Sequence, residues 1–228
     1  MNNLRRVRCT HRVGQNCQVS KILVVFDVDS TLIQDEVIEL LADVAGKRAE
    51  VAEVTERAMR GELDFAQSLI ERVAVLQGLP ETVFSDVFER ITPTAGVQEL
   101  IDAVHAAGGL VGAVSGGFTQ VLTPLAAKLG LDFARANDLE VVDGKLTGRV
   151  SSRIIDRAVK AESLAEWALA SGIPLEHTVA VGDGANDLDM LAMAGLGVAF
   201  NAKPLVRERA QIVIERQDLR ELIPVLGL

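Results

Sequence analysis

Short apolar runs alternate with longer amphipathic segments along most of the chain. Ile22–Phe26, Leu110–Val114 and Thr178–Val181 are mainly apolar, rich in branched residues and followed by polar residues or glycine. Such runs are typical of strands that are buried on both faces of a parallel sheet. The segments between them have apolar residues at helical spacing, so the pattern predicts an α/β fold built on a parallel sheet.

The same pattern predicts the other elements around this sheet. Further strands are expected at Leu196–Phe200 and at Ile212–Ile214, the second of them at an edge, and Asp143-Gly144 predicts a hairpin within Leu139–Val150. Helices are expected over residues 97–107, 119–129, 158–170 and 188–194.

A segment of different character follows the first strand. From Asp35 to about Ile91, apolar residues recur at helical spacing and glycines interrupt them, which predicts about four helices. Helices with no strand between them cannot all be crossover connections of a sheet. We therefore expect residues 35–91 to form a helical-bundle cap, inserted into a core domain of residues 21–34 and 92–228.

Charge separates the beginning of the chain from its body. The net charge is −9, yet residues 1–20 contain four arginines and no apolar periodicity, which predicts a flexible basic leader. The body has no basic stripe, which argues against a nucleic-acid partner. No apolar stretch indicates a signal peptide or a membrane span, so we expect a cytoplasmic protein with no membrane partner. Its expected oligomeric state is a monomer or a homodimer.

The first chemically informative motif is Asp27-Val28-Asp29-Ser30-Thr31, directly after the first strand. Asp27 and Asp29 are two residues apart, so both can point into one pocket at the carboxyl end of the sheet. Two close carboxylates need a cation or a shared proton, and Mg²⁺ is the natural partner. Alternatively, these residues could simply cap a helix, because Asp, Ser and Thr are good N-cap residues.

A second acidic motif, Gly182-Asp183-Gly184-Ala185-Asn186-Asp187, follows another predicted strand. By itself it could be a turn followed by a helix cap. Asp183 and Asp187 would nevertheless share a crevice with the first motif if the two strands are adjacent and parallel.

Two further elements could bind an anion in the same crevice. Ser115-Gly116-Gly117 follows a third strand and offers a hydroxyl and main-chain N–H groups before a helix. Lys160 lies near the start of a predicted helix. A single lysine at such a position is ordinarily a surface residue, and alone it would predict no role.

Taken together, these motifs resemble those of the haloacid-dehalogenase-type (HAD) phosphatases. The four elements of that superfamily occur in order, at Asp27–Thr31, Ser115–Gly117, Lys160 and Gly182–Asp187, and the resemblance extends to about Ala210. It implies a HAD-like Rossmannoid parallel-sheet core with an inserted helical-bundle cap.

Within the superfamily, the chain resembles the phosphoserine phosphatases. Glu36 lies nine residues after Asp27, and the run from Met59 to Phe65 and the segment Asn201-Ala202-Lys203-Pro204 are similar to that family's patterns. Val28 departs from the family, which usually has Phe there, and should face away from the pocket. The resemblance implies hydrolysis of O-phospho-L-serine to L-serine and phosphate, the last step of serine biosynthesis.

The resemblance also implies the catalytic roles. Asp27 attacks phosphorus and forms an aspartyl phosphate, while Asp29 acts as acid and then as base. Ser115 and Lys160 hold the phosphate oxygens. The magnesium ligands implied are the carboxylates of Asp27 and Asp183 and the main-chain carbonyl of Asp29. Asp187 is implied to act from behind these ligands or through water, and to orient Lys160.

For the substrate, the resemblance implies that Glu36 binds the ammonium group and Arg72 the carboxylate. Ser115 and Gly116, with Asn186, contribute to the same site, and Met59 and Phe65 close over it. Glu36 and Arg72 could instead be an ordinary ion pair of the cap, and Met59 and Phe65 could be plain cap core.

Other functions remain open from the sequence. The chain could act on another small phosphomonoester, transfer the phosphoryl group to an acceptor such as homoserine, or be a non-catalytic binding module on the same fold. Some family members carry an N-terminal regulatory domain, and its absence from this sequence leads us to expect no feedback inhibition through one.

Overall fold

The computed structural model describes residues 21–59 and 62–228, and it describes only the backbone of Ala58 and Met59. The predicted basic leader, residues 1–20, lies outside the described residues.

The centre of the molecule is a parallel sheet. The strands of the described residues are β1 Leu23–Phe26, β2 Leu110–Phe118, β3 Phe133–Asn137, β4 Leu139–Val142, β5 Lys145–Val150, β6 Thr178–Gly182, β7 Leu196–Phe200 and β8 Ile212–Ile214. Six of them form the parallel sheet in the order β3-β2-β1-β6-β7-β8, and β4 and β5 form a separate antiparallel hairpin. This confirms the predicted α/β fold.

Helices cover both faces of this sheet, and four of them precede β2 in the segment where the sequence predicts a cap. They are α1 Val37–Val44, α2 Arg48–Met59, α3 Phe65–Ala74, α4 Val83–Arg90, α5 Val97–Ala106, α6 Thr119–Leu129, α7 Arg157–Ala170, α8 Leu188–Met193, α9 Pro204–Arg209 and α10 Leu222–Leu226. Across the described residues, no helix combines the length and the apolar character needed to span a membrane.

Strand β1 lies between β2 and β6 and is completely buried. Val24 and Phe26 belong to the apolar cluster on one face, which continues into the helices α1–α4, whereas Leu23 and Val25 belong to the cluster beneath α7 and α8. This alternation follows from the two-residue repeat of a strand, and it explains why the run is apolar at every position. The end of β1 is thereby fixed at the centre of the sheet.

Several elements differ from the predictions. Strand β2 continues to Phe118, past the predicted end at Val114. Strand β3 and the short helices α9 and α10 were not predicted. Strand β3 is a partly exposed edge strand with Arg135 and Asn137 among its residues, so it lacks the apolar run by which buried strands are found.

The hairpin β4–β5 is hydrogen-bonded to the loop between α3 and α4. Gly78 N–H donates to Leu146 O over 2.8 Å, and Leu146 N–H donates to Leu79 O over 2.8 Å. At the tip of the hairpin, Glu81 N–H donates to Gly144 O over 2.9 Å. The hairpin β4–β5, which follows β3 in the chain, thus forms backbone hydrogen bonds with the helical segment that follows β1.

Candidate active site

A cavity lies at the carboxyl ends of β1, β2 and β6, with α1 and α3 on its other side. These three strands are neighbours in the sheet, which brings the two acidic motifs and the Ser-Gly-Gly motif together as predicted. The lining residues are Asp27, Asp29, Glu36, Ile38, Phe65, Leu69, Arg72, Ser115, Gly116, Gly117, Phe118, Asp183, Asn186 and Lys203.

Asp27 continues the β1–β6 pairing by one residue, because its N–H donates to Val181 O over 2.9 Å. The chain then makes a tight turn, closed by a hydrogen bond of 3.0 Å from Ile33 N–H to Val28 O. Val28 is buried in the apolar core, which accounts for its apolar character. Ser30 has a φ of +58°, an uncommon conformation for a residue with a side chain and one that occurs mainly in turns and functional sites.

Lys160 lies beneath the cavity and is completely buried. Helix α7 begins at the N-cap residue Asp156, which accepts a hydrogen bond from Val159 N–H, and this start places Lys160 in the first turn facing the sheet. Its ammonium group donates to Asp27 Oδ1 over 2.5 Å and to Asp187 Oδ1 over 2.7 Å. A lone lysine at such a position is ordinarily a surface residue, whereas Lys160 is buried with two carboxylates.

The protonation of Lys160 follows from two opposed effects. Burial by itself lowers the pKa of an ammonium group, but the carboxylates of Asp187 and Asp27 outweigh it and raise the pKa of Lys160 above its ordinary value. Lys160 therefore remains a cation and fixes the orientation of the Asp27 carboxylate.

Asp27, Asp183 and Asp187 each present a carboxylate oxygen, and these oxygens lie within 4.8 Å of one another. Burial and the nearby charge of Asp187 raise the pKa of Asp27 to about 7, and burial raises the pKa of Asp183 to about 6. The Lys160 ammonium contacts Asp27 and Asp187, whereas the third carboxylate, Asp183, lies 3.8 Å from the largely exposed Lys203. A divalent cation would offset the repulsion that remains among these three buried carboxylates. Their all-oxygen donor set fits Mg²⁺.

Asp187 is completely buried and lies below the cavity wall with Lys160. Its second oxygen, Oδ2, accepts a hydrogen bond of 3.0 Å from Gly184 N–H, which ties the end of the acidic loop to its beginning. A Cβ on Gly182 would come within 2.5 Å of the Asp187 carboxyl carbon. Glycine is therefore needed at the end of β6 so that Asp187 can reach the cluster.

The Asp29 carboxyl group points elsewhere and is not part of the three-carboxylate cluster. Its Oδ1 is buried and has no hydrogen-bond partner among the described residues. Burial, followed by the charges of Glu36 and Asp27, raises the pKa of Asp29 well above its ordinary value. A carboxyl group in this environment holds its proton and can donate it inside the cavity.

The Ser-Gly-Gly segment forms the wall next to Asp29. Ser115 is buried, and its hydroxyl oxygen accepts a hydrogen bond of 2.7 Å from Gly117 N–H. Asn137, at the end of β3, donates to Gly116 O over 2.8 Å and accepts from Ile155 N–H over 2.8 Å. Asn137 therefore links this segment to the chain entering α7. This role has no signal in the sequence, because β3 itself was not predicted.

Glu36 and Arg72 approach the cavity from the helical side. Glu36 immediately precedes α1 and accepts a hydrogen bond of 2.8 Å from the Ser30 hydroxyl. Arg72 lies in the last turn of α3, and its Nε donates to Ser68 O over 3.2 Å. Burial lowers the pKa of Arg72, although the charges of Glu36 and Asp29 oppose this shift. The far wall of the cavity thus contains the acidic residue Glu36 and the basic residue Arg72.

Phe65 is the first residue of α3 and lies against Gly116 on the opposite wall. Its position is fixed by Asp64, which forms a reciprocal capping box with Gln67 at the start of this helix. Met59 ends α2, and the side chain for which a closing role was predicted lies outside the described residues.

The structure adds residues to the predicted set. Ile38, Leu69, Phe118 and Lys203 also line the cavity. The Lys203 ammonium is largely exposed and lies 3.8 Å from Asp183 Oδ2. Its segment was recognised as similar to a family pattern, but no role was predicted for this lysine, because the approach of α9 to β6 is not visible in the sequence.

Comparison with known protein families identifies the same elements. The model of the haloacid dehalogenase-like hydrolases matches residues 24–192, from the first strand through the second acidic motif. This match covers all four motifs on which the resemblance was recognised.

Individual proteins are similar over most of the chain. A phosphoserine phosphatase of Streptomyces coelicolor is 59% identical over 206 residues, which are 90% of this chain and 50% of that protein. The chain thus spans half the length of this relative. A phosphoserine phosphatase of Streptococcus thermophilus is 52% identical over 206 residues, and the match covers 90% of this chain and 96% of the relative.

Solved structures agree with these relatives. A structure described as the phospho-aspartyl intermediate analogue of phosphoserine phosphatase superposes with a TM-score of 0.85 at 47% identity, covering 91% of this chain and 99% of the other. A substrate-bound phosphoserine phosphatase complex superposes with a TM-score of 0.85 at 47% identity, over 90% of this chain and 98% of that one.

Proposed function

Because the chain belongs to the haloacid dehalogenase-like hydrolases, we propose that it hydrolyses O-phospho-L-serine to L-serine and phosphate through an aspartyl phosphate on Asp27. One observation carries this proposal. The Asp27 carboxylate is oriented by Lys160 on one side of a cavity. The far wall of this cavity presents Glu36, an acidic residue, and Arg72, a basic residue. These two charges are complementary to the ammonium and carboxylate groups of an amino acid.

Asp27 is the nucleophile in this mechanism. Its Oδ1 is held by Lys160 over 2.5 Å, so the carboxylate cannot rotate freely and the other oxygen is available to attack phosphorus. The P–O bond to serine breaks as the bond from Asp27 to phosphorus forms. The ammonium of Lys160, together with the Ser115 hydroxyl and the main-chain N–H groups that follow it, stabilises the negative charge on the phosphoryl oxygens.

Asp29 carries the proton in both half-reactions. Its raised pKa keeps the carboxyl group protonated before attack, so it donates a proton to the departing serine oxygen. The resulting carboxylate then removes a proton from the water that attacks the aspartyl phosphate. This second step releases phosphate and returns Asp27 and Asp29 to their initial states.

Mg²⁺ is the ion that we propose for the acidic cluster, where Asp27 and Asp183 would bind it with the Asp29 main-chain carbonyl, and Asp187 would act directly or through water. When bound, it would supply positive charge that offsets the repulsion between the carboxylates and a phosphate dianion. Asn186 lines the cavity next to these acids and supports their loop.

Substrate selection is assigned to the helical side of the cavity. Glu36 would bind the ammonium group of phosphoserine, and the planar Arg72 side chain would bind its carboxylate. Phe65 packs against Gly116 and excludes water from the reacting groups, and Met59 is proposed to do the same. The proposed place of action is the cytoplasm, and a monomer and a homodimer are both compatible with the site.

The test is a panel of phosphomonoesters assayed with Mg²⁺ and with Ca²⁺. We expect phosphoserine to be hydrolysed with the highest kcat/KM, ahead of phosphothreonine and phosphoethanolamine, and we expect Ca²⁺ to support little turnover because it tolerates looser coordination. Asp27→Asn should abolish turnover, and retained activity would refute the nucleophile assignment. Equal kcat/KM for phosphoserine and ethyl phosphate would refute the substrate assignment.

A further inference from the structure

Two short linkers join the helices α1–α4 to the rest of the molecule, and they run side by side. One leads from the turn after β1 into α1, and the other returns from α4 toward α5. Ile33 of the first linker pairs with Pro93 of the second as an antiparallel bridge. We refer to residues 32–35 and 92–94 together as the linker clasp.

Backbone hydrogen bonds hold the clasp on both sides of this bridge. Gln34 N–H donates to Thr92 O over 2.9 Å, and Thr94 N–H donates to Leu32 O over 2.9 Å. This is the spacing of an antiparallel pair, in which the hydrogen-bonded positions flank a pair that is not hydrogen-bonded. The clasp therefore tolerates proline at position 93, where no N–H is needed.

The side chain of Asp35 completes the clasp. In a regular antiparallel pair, the N–H of Thr92 would donate to the main-chain carbonyl of Gln34. Here it donates to Asp35 Oδ2 over 2.7 Å, which joins residues 57 positions apart in the sequence. Because a side chain makes this contact, a substitution can remove it while leaving the backbone bonds of the clasp in place.

Asp35 is also connected to the catalytic turn. Its main-chain carbonyl accepts a hydrogen bond of 3.3 Å from Ser30 N–H. The Ser30 hydroxyl donates to Oε1 of Glu36, the next residue, over 2.8 Å. Asp35 thus lies between the turn that carries Asp29 and the acid at the far wall of the cavity, and it binds the returning linker at the same time.

We propose that Asp35 is a positioning residue for substrate recognition. By fixing the two linkers to each other, it sets the position of Glu36 and of the helix that carries Arg72 relative to Asp27. Its own carboxylate does not line the cavity. This inference rests on the proposed function, since it concerns the residues that would bind the amino-acid part of phosphoserine.

The experiment compares two substrates in Asp35→Ala. Phosphoserine needs Glu36 and Arg72, whereas ethyl phosphate has the same ester chemistry without the ammonium and carboxylate groups. We expect kcat/KM for phosphoserine to fall about fivefold, mainly because KM rises. This is the size of effect expected when one hydrogen bond that aligns the site is lost. The kcat/KM for ethyl phosphate should change by less than about twofold, because it does not use those two residues.

Two variants serve as controls. Asp35→Asn keeps an acceptor oxygen and should restore phosphoserine kcat/KM to within about twofold of the unmodified protein. Asp43 accepts a hydrogen bond of 2.6 Å from Arg90 and joins α1 to α4 without touching the linkers. Asp43→Ala should therefore leave the ratio of the two kcat/KM values unchanged. If Asp35→Ala does not fold, Asp35→Ser replaces it.

Hydrogen exchange gives a readout that does not depend on activity. The Thr92 amide should exchange faster in Asp35→Ala and remain protected in Asp35→Asn. An equal loss for both substrates, or no loss for either, would overturn the proposal. If the unmodified protein failed to hydrolyse phosphoserine, the proposed function would be wrong, whereas unchanged Thr92 exchange would show that the clasp itself is wrong.

Discussion

Phe65 lies directly against Gly116, so closely that a Cβ built on Gly116 would come within 3.0 Å of the Phe65 Cζ atom. Gly116 does not have a positive φ, so an added methyl group would act through this contact and not through backbone strain. The ring belongs to α3 and the glycine to β2. The two walls of the cavity can therefore pack this closely because glycine has no side chain.

We therefore expect Gly116→Ala to lower phosphoserine kcat/KM about tenfold, because the ring must move away from the reacting groups. Phe65→Leu removes part of the ring and should relieve this contact. In a double-mutant cycle, Gly116→Ala combined with Phe65→Leu should lose less than the sum of the two single effects. Additive losses would show that the contact does not matter for turnover.

Lys160 should be important for stability as well as for activity. Lys160→Met leaves Asp27 and Asp187 buried without their cation, so we expect the free energy of unfolding of the metal-free protein to fall by about 3–5 kcal/mol. Urea unfolding measures this change. Adding Asp187→Asn removes one of the stranded charges and should recover part of the loss.

The matched control for Lys160 is Lys47, which forms an exposed ion pair of 2.9 Å with Glu50. Lys47→Met should change the free energy of unfolding by less than about 1 kcal/mol, because exposed pairs are screened by water. A similar loss in both variants would contradict the buried-pair interpretation.

The effect of Mg²⁺ on stability should depend on pH. The pKa of Asp27 is raised from 3.8 to about 7 and that of Asp183 from 3.8 to about 6. Between pH 3.8 and about pH 7, the folded chain therefore holds more protons than the unfolded chain. The metal-free protein therefore loses the stability contributed by these groups as the pH rises through this window. Mg²⁺ binds the ionised carboxylates and should reverse that loss.

Thermal unfolding with and without Mg²⁺ tests this dependence. The increase in Tm on adding Mg²⁺ should be larger near pH 8 than near pH 5, and Asp183→Asn should remove most of it. An increase that is the same at both pH values would mean that these carboxylates do not form the ion's site.

Arg72 should determine the preference for a substrate carboxylate. Arg72→Lys retains a charge but loses the planar fork, so we expect kcat/KM for phosphoserine to fall about 10- to 100-fold. Phosphoethanolamine lacks the carboxylate and should be hydrolysed at a nearly unchanged rate. Arg57, which forms an ion pair of 2.6 Å with Glu71 and does not line the cavity, provides the control variant Arg57→Lys.

The sheet and the acidic motifs were predictable because their signals are local. A continuous apolar run ending in Asp27 predicts both a buried strand and the edge at which that residue lies. The same holds for β6 and Asp183. Strand β3 was missed because it is short, partly exposed and mixed in character, so nothing separates it from a loop in the sequence.

The contacts that complete the site are long-range and were not predictable from local patterns. Lys160 is 133 residues from Asp27, and only the resemblance to a known family marked it as functional. The pairing of Asn137 with Gly116, the approach of Lys203 to Asp183 and the packing of Phe65 all depend on how separate elements are placed. The division into residues 35–91 and the remaining core, and the roles of the individual site residues, stay predictions.

The backbone pairing between the hairpin β4–β5 and residues 78–81 has a consequence for exchanging parts between related enzymes. A helical segment transplanted from another protein would bring a different loop, whose backbone groups would have to lie in the same positions to bond to Leu146 and Gly144. A chimaera should therefore fold more readily when the four helices α1–α4 and the hairpin β4–β5 are transferred together, although they are far apart in the gene.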